Sequence, residues 1–233
     1  MELDYILQTQ GLKKEYAGGF RALSGLTMHV PRGSIYGFVG KNGAGKTTLI
    51  RLVCGLQEPT SGSYRLCGVE NRDAKIVRAR RRMGAVVETP SIYLDMTARE
   101  NLRQQYRVLG MPAEEGIDGL LRLVGLEGTG RKPARNFSLG MRQRLGIAVA
   151  LAGEPDFLLL DEPVNGLDPQ GIVEMRELIL RLNREEGITV LISSHILDEL
   201  SRLATWYGFI DGGRMVRVYL KNSLRLHHGV FSA

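Results

Sequence analysis

The eight residues GKNGAGKT, Gly40 to Thr47, constrain this chain more than any other segment. They match G-x-x-x-x-G-K-[ST] at every fixed position. The apolar run Ser34-Ile35-Tyr36-Gly37-Phe38-Val39 reads as a strand leading into them, and Thr48 to Cys54 as a helix leading out. In that setting glycines let successive backbone N–H groups turn toward phosphate oxygens, and the helix N-terminus adds its partial positive charge. The expectation is a nucleotide-phosphate site made by Gly40, Asn42, Gly43, Ala44, Gly45, Lys46, Thr47 and Thr48. Lys46 would bridge the β- and γ-phosphates and the Thr47 hydroxyl would ligate Mg2+.

The flanking patterns fill in an α/β fold. Tyr5-Ile6-Leu7-Gln8-Thr9 alternates apolar and polar, Gly18-Gly19 turns the chain, and Leu23 to Val30 has strand character before Pro31-Arg32-Gly33. Residues 60–70 read as a further hairpin strand. The middle, roughly 90–150, reads as helices at Thr97–Leu109, Glu114–Val124 and Ser138–Ala152. Strand Phe157–Leu160, helix Gly171–Glu185, strand Thr189–Ser193 and helix Leu197–Ala204 follow, with a closing hairpin of Tyr207–Ile210 and Arg214–Tyr219 around Gly212-Gly213. The predicted fold is one domain: a P-loop NTPase core, mainly a parallel sheet, over 1–88 and 153–233, with an antiparallel β subdomain and an inserted helical subdomain over 89–152.

Composition excludes several classes. No segment approaches ~18 consecutive apolar residues, so no span of a bilayer is expected. The opening MELDYILQ lacks a signal-peptide pattern, which places the chain in the cytosol with any membrane role left to a partner. Cys54 and Cys67 are too few for a disulfide framework or a zinc site, and buried thiols are expected for both. The net charge of +6 has two visible sources, Arg78-Ala79-Arg80-Arg81-Arg82 and the tail carrying Arg214, Arg217, Lys221 and Arg225. Aromatics are sparse near both, so no nucleic-acid partner is expected; solvated faces, or faces near anionic headgroups, account for them.

A second chemical signal sits downstream. Phe157-Leu158-Leu159-Leu160 runs straight into Asp161-Glu162-Pro163. Ligands of α/β sheets lie at the carboxyl ends of strands. Asp161 is placed to hold Mg2+ there, and Glu162 to polarise an attacking water as general base.

Between the two lies Phe137-Ser138-Leu139-Gly140-Met141-Arg142-Gln143-Arg144. This resembles the signature motif of ATP-binding cassette (ABC) ATPases, LSGGQ followed by a basic-Gln-Arg stretch, and the resemblance covers nearly the whole chain. In it Tyr16 matches the aromatic residue that stacks on adenine, and Glu88 falls at the Q-loop. Asn165-Gly166-Leu167-Asp168 matches the D-loop, and His195 matches the switch histidine that contacts the γ-phosphate. The resemblance implies ATP and Mg2+ as cofactors, with Thr47, Glu88 and Asp161 toward the metal. It also implies two such subunits packed head to tail. The Ser138 hydroxyl and the Gly140 N–H would meet the γ-phosphate held by the other subunit, with Asp168 at the seam. A separate transmembrane permease would dock on the helical block, which puts the chain at the cytoplasmic face of the membrane. Ser138 also reads as a plain helix N-cap, and Arg142 and Arg144 as structural ion-pairing residues.

Three departures stand out. The signature reads FSLGM, with Leu139 at the first glycine and Met141 at the glutamine. Glu88, in Ala85-Val86-Val87-Glu88-Thr89-Pro90, replaces the family's usual glutamine. The tail VYLKNSLRLHHGVFSA replaces an acidic helical segment, and a shortened or frame-shifted end is the expectation. The Glu88 context is similar to exporters conferring bacitracin or lantibiotic self-protection, which points to export of a peptide antibiotic or drug. Two other classes leave different marks. A soluble ABC ATPase of translation or DNA repair would carry paired cassettes or long coiled coils. A P-loop GTPase would show N-K-x-D, and Asn165-Gly166-Leu167-Asp168 lacks the lysine.

Overall fold

A computed structural model describes residues 4–111 and 114–221. In chain order the first elements are β1 (Tyr5–Glu15), β2 (Arg21–Pro31), β3 (Ile35–Val39), α1 (Lys46–Val53), β4 (Ser61–Leu66), β5 (Val69–Glu70), α2 (Ile76–Arg80) and β6 (Met83–Val86). Three helices follow, α3 (Ala98–Val108), α4 (Ile117–Leu123) and α5 (Leu139–Leu151). The chain closes with β7 (Phe157–Asp161), α6 (Pro169–Arg184), β8 (Thr189–Ser194), α7 (Leu197–Ser201), β9 (Trp206–Asp211) and β10 (Arg214–Leu220). Two compact units result. One runs from the N-terminus to Arg80 and resumes at Thr189; the other is Arg81–Ile188.

The first unit holds the antiparallel layer and a parallel one. The antiparallel sheet has the order β2-β1-β4-β5, with Gln8 opposite His29 on one side and Arg65 on the other. In the second layer β3 lies between β8 and β9 and is parallel to both, and β10 closes an antiparallel hairpin on β9. All five residues of β3 are buried, as are all six of β8, because strands covered on both faces must be apolar throughout. Gly37 is the one place in β3 without a side chain. A methyl there would sit 3.1 Å from both Ala204 and Leu200, so glycine lets the α7 segment lie against the strand.

In the second unit β6 and β7 pair in parallel, Met83 with Phe157 through Val86 with Leu160. Helix α3 starts in a capping box, Thr97 accepting from the Glu100 N–H while Glu100 accepts from the Thr97 N–H. Helix α5 is apolar on nearly every side, because it packs on α3, α4, α6 and β6. Two glycines let it approach closely. A methyl on Gly84 of β6 would lie 2.4 Å from the Ala150 carbonyl, and one on Gly146 would lie 2.6 Å from Pro90 Cβ.

Several expectations are corrected. Arg80 is not part of a solvated face: it is half-buried, and its guanidinium donates to the Val53 carbonyl and the Tyr64 hydroxyl. Cys54 and Cys67 are half-buried rather than buried. Helix α4 starts at Ile117 rather than Glu114, because Glu114 pairs with Arg103 of α3 and Gly116 takes a left-handed backbone at the N-cap. Helix α6 begins earlier than predicted, at Pro169, since Asp168 caps it and proline suits a first-turn position. No described helix is long and apolar enough to cross a membrane. Arg225 and the rest of 222–233, where the tail departs from the family pattern, lie outside the described residues.

Candidate functional site

The phosphate loop is built by support from behind. Val39 of β3 lies in register with Ser194 of β8, and the Gly40 N–H continues the ladder by donating to the Ser194 carbonyl at 3.2 Å. A methyl on Gly40 would lie 2.6 Å from both Ile210 Cγ2 and the Ile210 carbonyl. Gly45 combines a left-handed φ of 109° with a wall at Ala22, whose carbonyl would lie 2.5 Å from an added methyl. From the closing hairpin the Gly213 N–H donates to the Ala44 carbonyl at 3.1 Å. The loop is thus held by β2, β8 and the β9–β10 turn, contacts no local sequence pattern reveals.

Helix α1 then leaves the loop with no side chain capping its N-terminus and no acid in its first turn. The first-turn N–H groups of such a helix attract anions. Lys46 is almost fully buried and reaches back over the loop, donating to the Gly40 carbonyl at 2.6 Å and the Lys41 carbonyl at 3.2 Å. Thr47 is half-buried and Thr48 buried. Asn42 and Gly43 are exposed at the loop's tip, and Ala44 is buried.

Tyr16 borders the same helix. Its hydroxyl donates to Gln57 Oε1 at 2.8 Å, its ring stacks on Phe20 with centroids 6.3 Å apart, and Lys14 Nζ lies 5.4 Å from the ring centre. Burial works to raise the phenol's pKa, but hydrogen bonds with Thr48, Gln57 and Arg51, reinforced by the Arg51 charge, outweigh it and the net shift is downward. His195 is exposed immediately beyond β8. There Ser194 Oγ accepts from the Ile196 N–H at 3.0 Å and donates to Glu199 at 2.9 Å, fixing the turn that carries the histidine. The first unit therefore brings together Tyr16, the whole of 40–48 and His195 around one strand end.

The second unit carries the carboxylates and the signature. Asp161 closes β7 and is 2% exposed, a carboxylate held in the interior at a strand terminus. Glu162 follows with φ at 50°, and Glu88 stands at φ 58°. Both are two residues beyond the paired Val86 and Leu160, so neighbouring strands turn at the same level into left-handed backbone. That region costs a non-glycine residue on the order of 1–3 kcal/mol, and such strain gathers at functional sites. Ser138 is exposed and caps α5, its Oγ accepting from the Met141 N–H at 3.2 Å; Gly140 is half-buried in the first turn. Asp168 caps α6, accepting from the Gly171 N–H at 2.9 Å. Arg144 pairs with Glu174 at 3.4 Å, whereas Arg142 spends its guanidinium on the Ala134 and Arg135 carbonyls.

The residues fit a nucleotide and a hard cation. Among the described residues no group of three or more His, Cys, Asp or Glu could hold a metal unaided. Mg2+ does not need one, since it is commonly held by one or two carboxylates together with substrate phosphates and water. A buried strand-end aspartate and a hydroxyl in the first turn of an anion-attracting helix are donors of that kind.

The residues missed from sequence are the supporting ones: Gln57 and Arg51 behind Tyr16, Ile210 and Gly213 behind the loop, and Ser194 with Glu199 beside His195. Each acts through contacts distant in sequence or through a role that its residue type does not announce.

The chain is similar to known proteins over most of its length. Residues 23–165 match the family model described as "ABC transporter". The chain is 47% identical over 211 residues to the bacitracin transport ATP-binding protein BcrA of Bacillus licheniformis, covering 91% of this chain and 68% of that one. It is 43% identical over 213 residues to the lantibiotic transport ATP-binding protein SrtF of Streptococcus pyogenes, covering 91% and 89%. Among solved structures it resembles cbiO1 from Clostridium perfringens, part of the ABC transporter complex cbiONQ, with a TM-score of 0.85 and 29% identity over 96% of this chain and 92% of that one.

Proposed function

The chain belongs to the ABC transporter family, and on that premise we propose a mechanism in which it binds and hydrolyses ATP to power export through a separate permease. The observation that carries it is the loop from β3 to α1, where an uncapped helix start, a buried lysine and the ring of Tyr16 border one anion-binding corner. ATP places its adenine against Tyr16 and its phosphates against the N–H groups of 40–48. Lys46 exchanges its loop carbonyls for the β- and γ-phosphates. Glu162 polarises the attacking water, while Lys46 and His195 offset charge on the transferring phosphoryl group. Thr47, Asp161 and Glu88 would hold Mg2+, which when bound neutralises phosphate charge.

The site is completed by a second copy of the chain. Ser138 and Gly140, at the start of α5, face the γ-phosphate bound by the other subunit, and Asp168 lies at the seam between them. Residues 1–88 and 153–233 serve as the catalytic core, and the helical part over 89–152 docks a permease at the cytoplasmic face of the membrane. Two relatives, a bacitracin and a lantibiotic transport ATP-binding protein, support a peptide antibiotic as cargo.

Glu162→Gln tests the chemistry. The variant is expected to bind ATP normally, to accumulate as an ATP-bound dimer, and to lose turnover by about a hundredfold or more. Hydrolysis near the wild-type rate would remove Glu162 from the role of base.

A further inference from the structure

The departure at Leu139 has a structural counterpart in the D-loop. Leu139 directly follows the α5 cap Ser138, and Leu167 directly precedes the α6 cap Asp168. The two leucines are set against each other's glycines. A methyl on Gly166 would lie 3.2 Å from Leu139 Cδ2, and one on Gly140 would lie 3.7 Å from Leu167 Cδ2. Leu167 is half-buried, while Leu139 keeps 45% of its surface exposed. The D-loop is closed on itself, with Asn165 N–H donating to the Glu162 carbonyl and Leu167 N–H to the Val164 carbonyl, both at 3.1 Å. A glycine at position 139 would offer Gly166 nothing to pack on.

We propose that Leu139 is a positioning residue: with Leu167 it clasps the signature turn to the D-loop of the same chain, so that Ser138, Gly140 and Asp168 meet a second chain as one preformed face. The clasp joins the N-termini of α5 and α6 through van der Waals contact, which demands close fit and loses roughly a quarter to a half of its attraction within about an ångström of separation. It reduces the ordering that dimer closure would otherwise require. This rests on the reading above that the signature and D-loop form the face offered to the second ATP.

The test uses the intact chain carrying Glu162→Gln, in which ATP-dependent dimers accumulate. Adding Leu139→Ala removes the clasp and keeps a good helix former at the start of α5. The ATP concentration giving half-maximal dimer, followed by light scattering, is expected to rise roughly tenfold, the scale of a lost packing contact. Adding Leu139→Met, which retains an apolar arm, is expected to leave it within about twofold. Nucleotide binding by the monomer and its melting temperature are expected to hold, since Leu139 is half-exposed. Dimerisation of the Leu139→Ala chain like its parent would overturn the clasp, and so would a general loss of stability that carries nucleotide binding with it. Ser138→Ala in the same background separates the two levels. If it also dimerises like the parent, the face itself is misread; if it is weakened and Leu139→Ala is not, only the clasp fails.

Discussion

Tyr36, the second residue of β3, has its ring wholly buried, and among the described residues its hydroxyl has no hydrogen-bond partner. It points at Gly208, where a methyl would lie 2.4 Å from the oxygen. An unmatched buried hydroxyl costs about 1–3 kcal/mol, so Tyr36→Phe is expected to raise stability by about 1 kcal/mol in urea titration, and a fall would disprove the reading. Burial also pushes this phenol's pKa well above its ordinary 10.0. A phenol with a raised folded pKa gives stability that is fully present below pH 10.0 and lost as pH climbs toward the folded value. The advantage of the phenylalanine variant should therefore widen above pH 10.0. Glu88 poses the complementary residue-scale question, a carboxylate where the family has an amide, held at φ 58°. We read it as retuned coupling: Glu88→Gln is expected to keep ATPase activity within about threefold while changing the cargo exported per ATP. Unchanged export and unchanged resistance in cells carrying that variant would sink the idea.

At the scale of elements, α5 links the signature to the segment after Glu88. Its Gly146 faces Pro90, a ring with little freedom to yield, and its Ala150 carbonyl faces Gly84 of β6. Gly146→Ala, a change that raises helix propensity, is nevertheless expected to destabilise the chain by about 1–3 kcal/mol through overpacking against Pro90. A rise in the urea midpoint would show instead that Pro90 moves aside. The same elements show what the sequence disclosed. β3, β7 and β8 were legible because strands buried on both faces are apolar runs, α5 because Ser138 announces its cap, and α3 and α6 because of their length. β6 and α2 were not: four and five residues are too short for a period to declare itself, and α2 (Ile76–Arg80) leads into the arginine run 78–82, whose central member turns inward. Arg80 packs over Gly55 and anchors Tyr64, an inward role that no spacing encodes. The chemical residues were legible for the opposite reason, that phosphate binding demands particular residue types at fixed intervals. Their supports, Ile210 and Gly213 among them, were silent because backbone and methyl contacts can be supplied by many residues.

For the whole molecule, the decisive matter is where one active site ends. The phosphate loop with Tyr16 and His195, and the turn capped by Ser138, belong to the two compact units of a single chain. The proposed head-to-tail pairing assigns Lys46 and Ser138 of one chain to different ATP molecules. That assignment makes complementation measurable. Chains carrying Lys46→Ala and chains carrying Ser138→Ala are each expected to lack turnover alone. Mixed in equal amounts, half of the two-fold dimers pair one of each, and each such dimer contains one site with both residues intact, so about a quarter of the wild-type activity is expected to return. A single-chain site would return none, because every chain in the mixture lacks one of the two residues. Specific activity of the unaltered chain should likewise rise with its concentration until dimers predominate, whereas a self-sufficient site would give a rate strictly proportional to chain concentration.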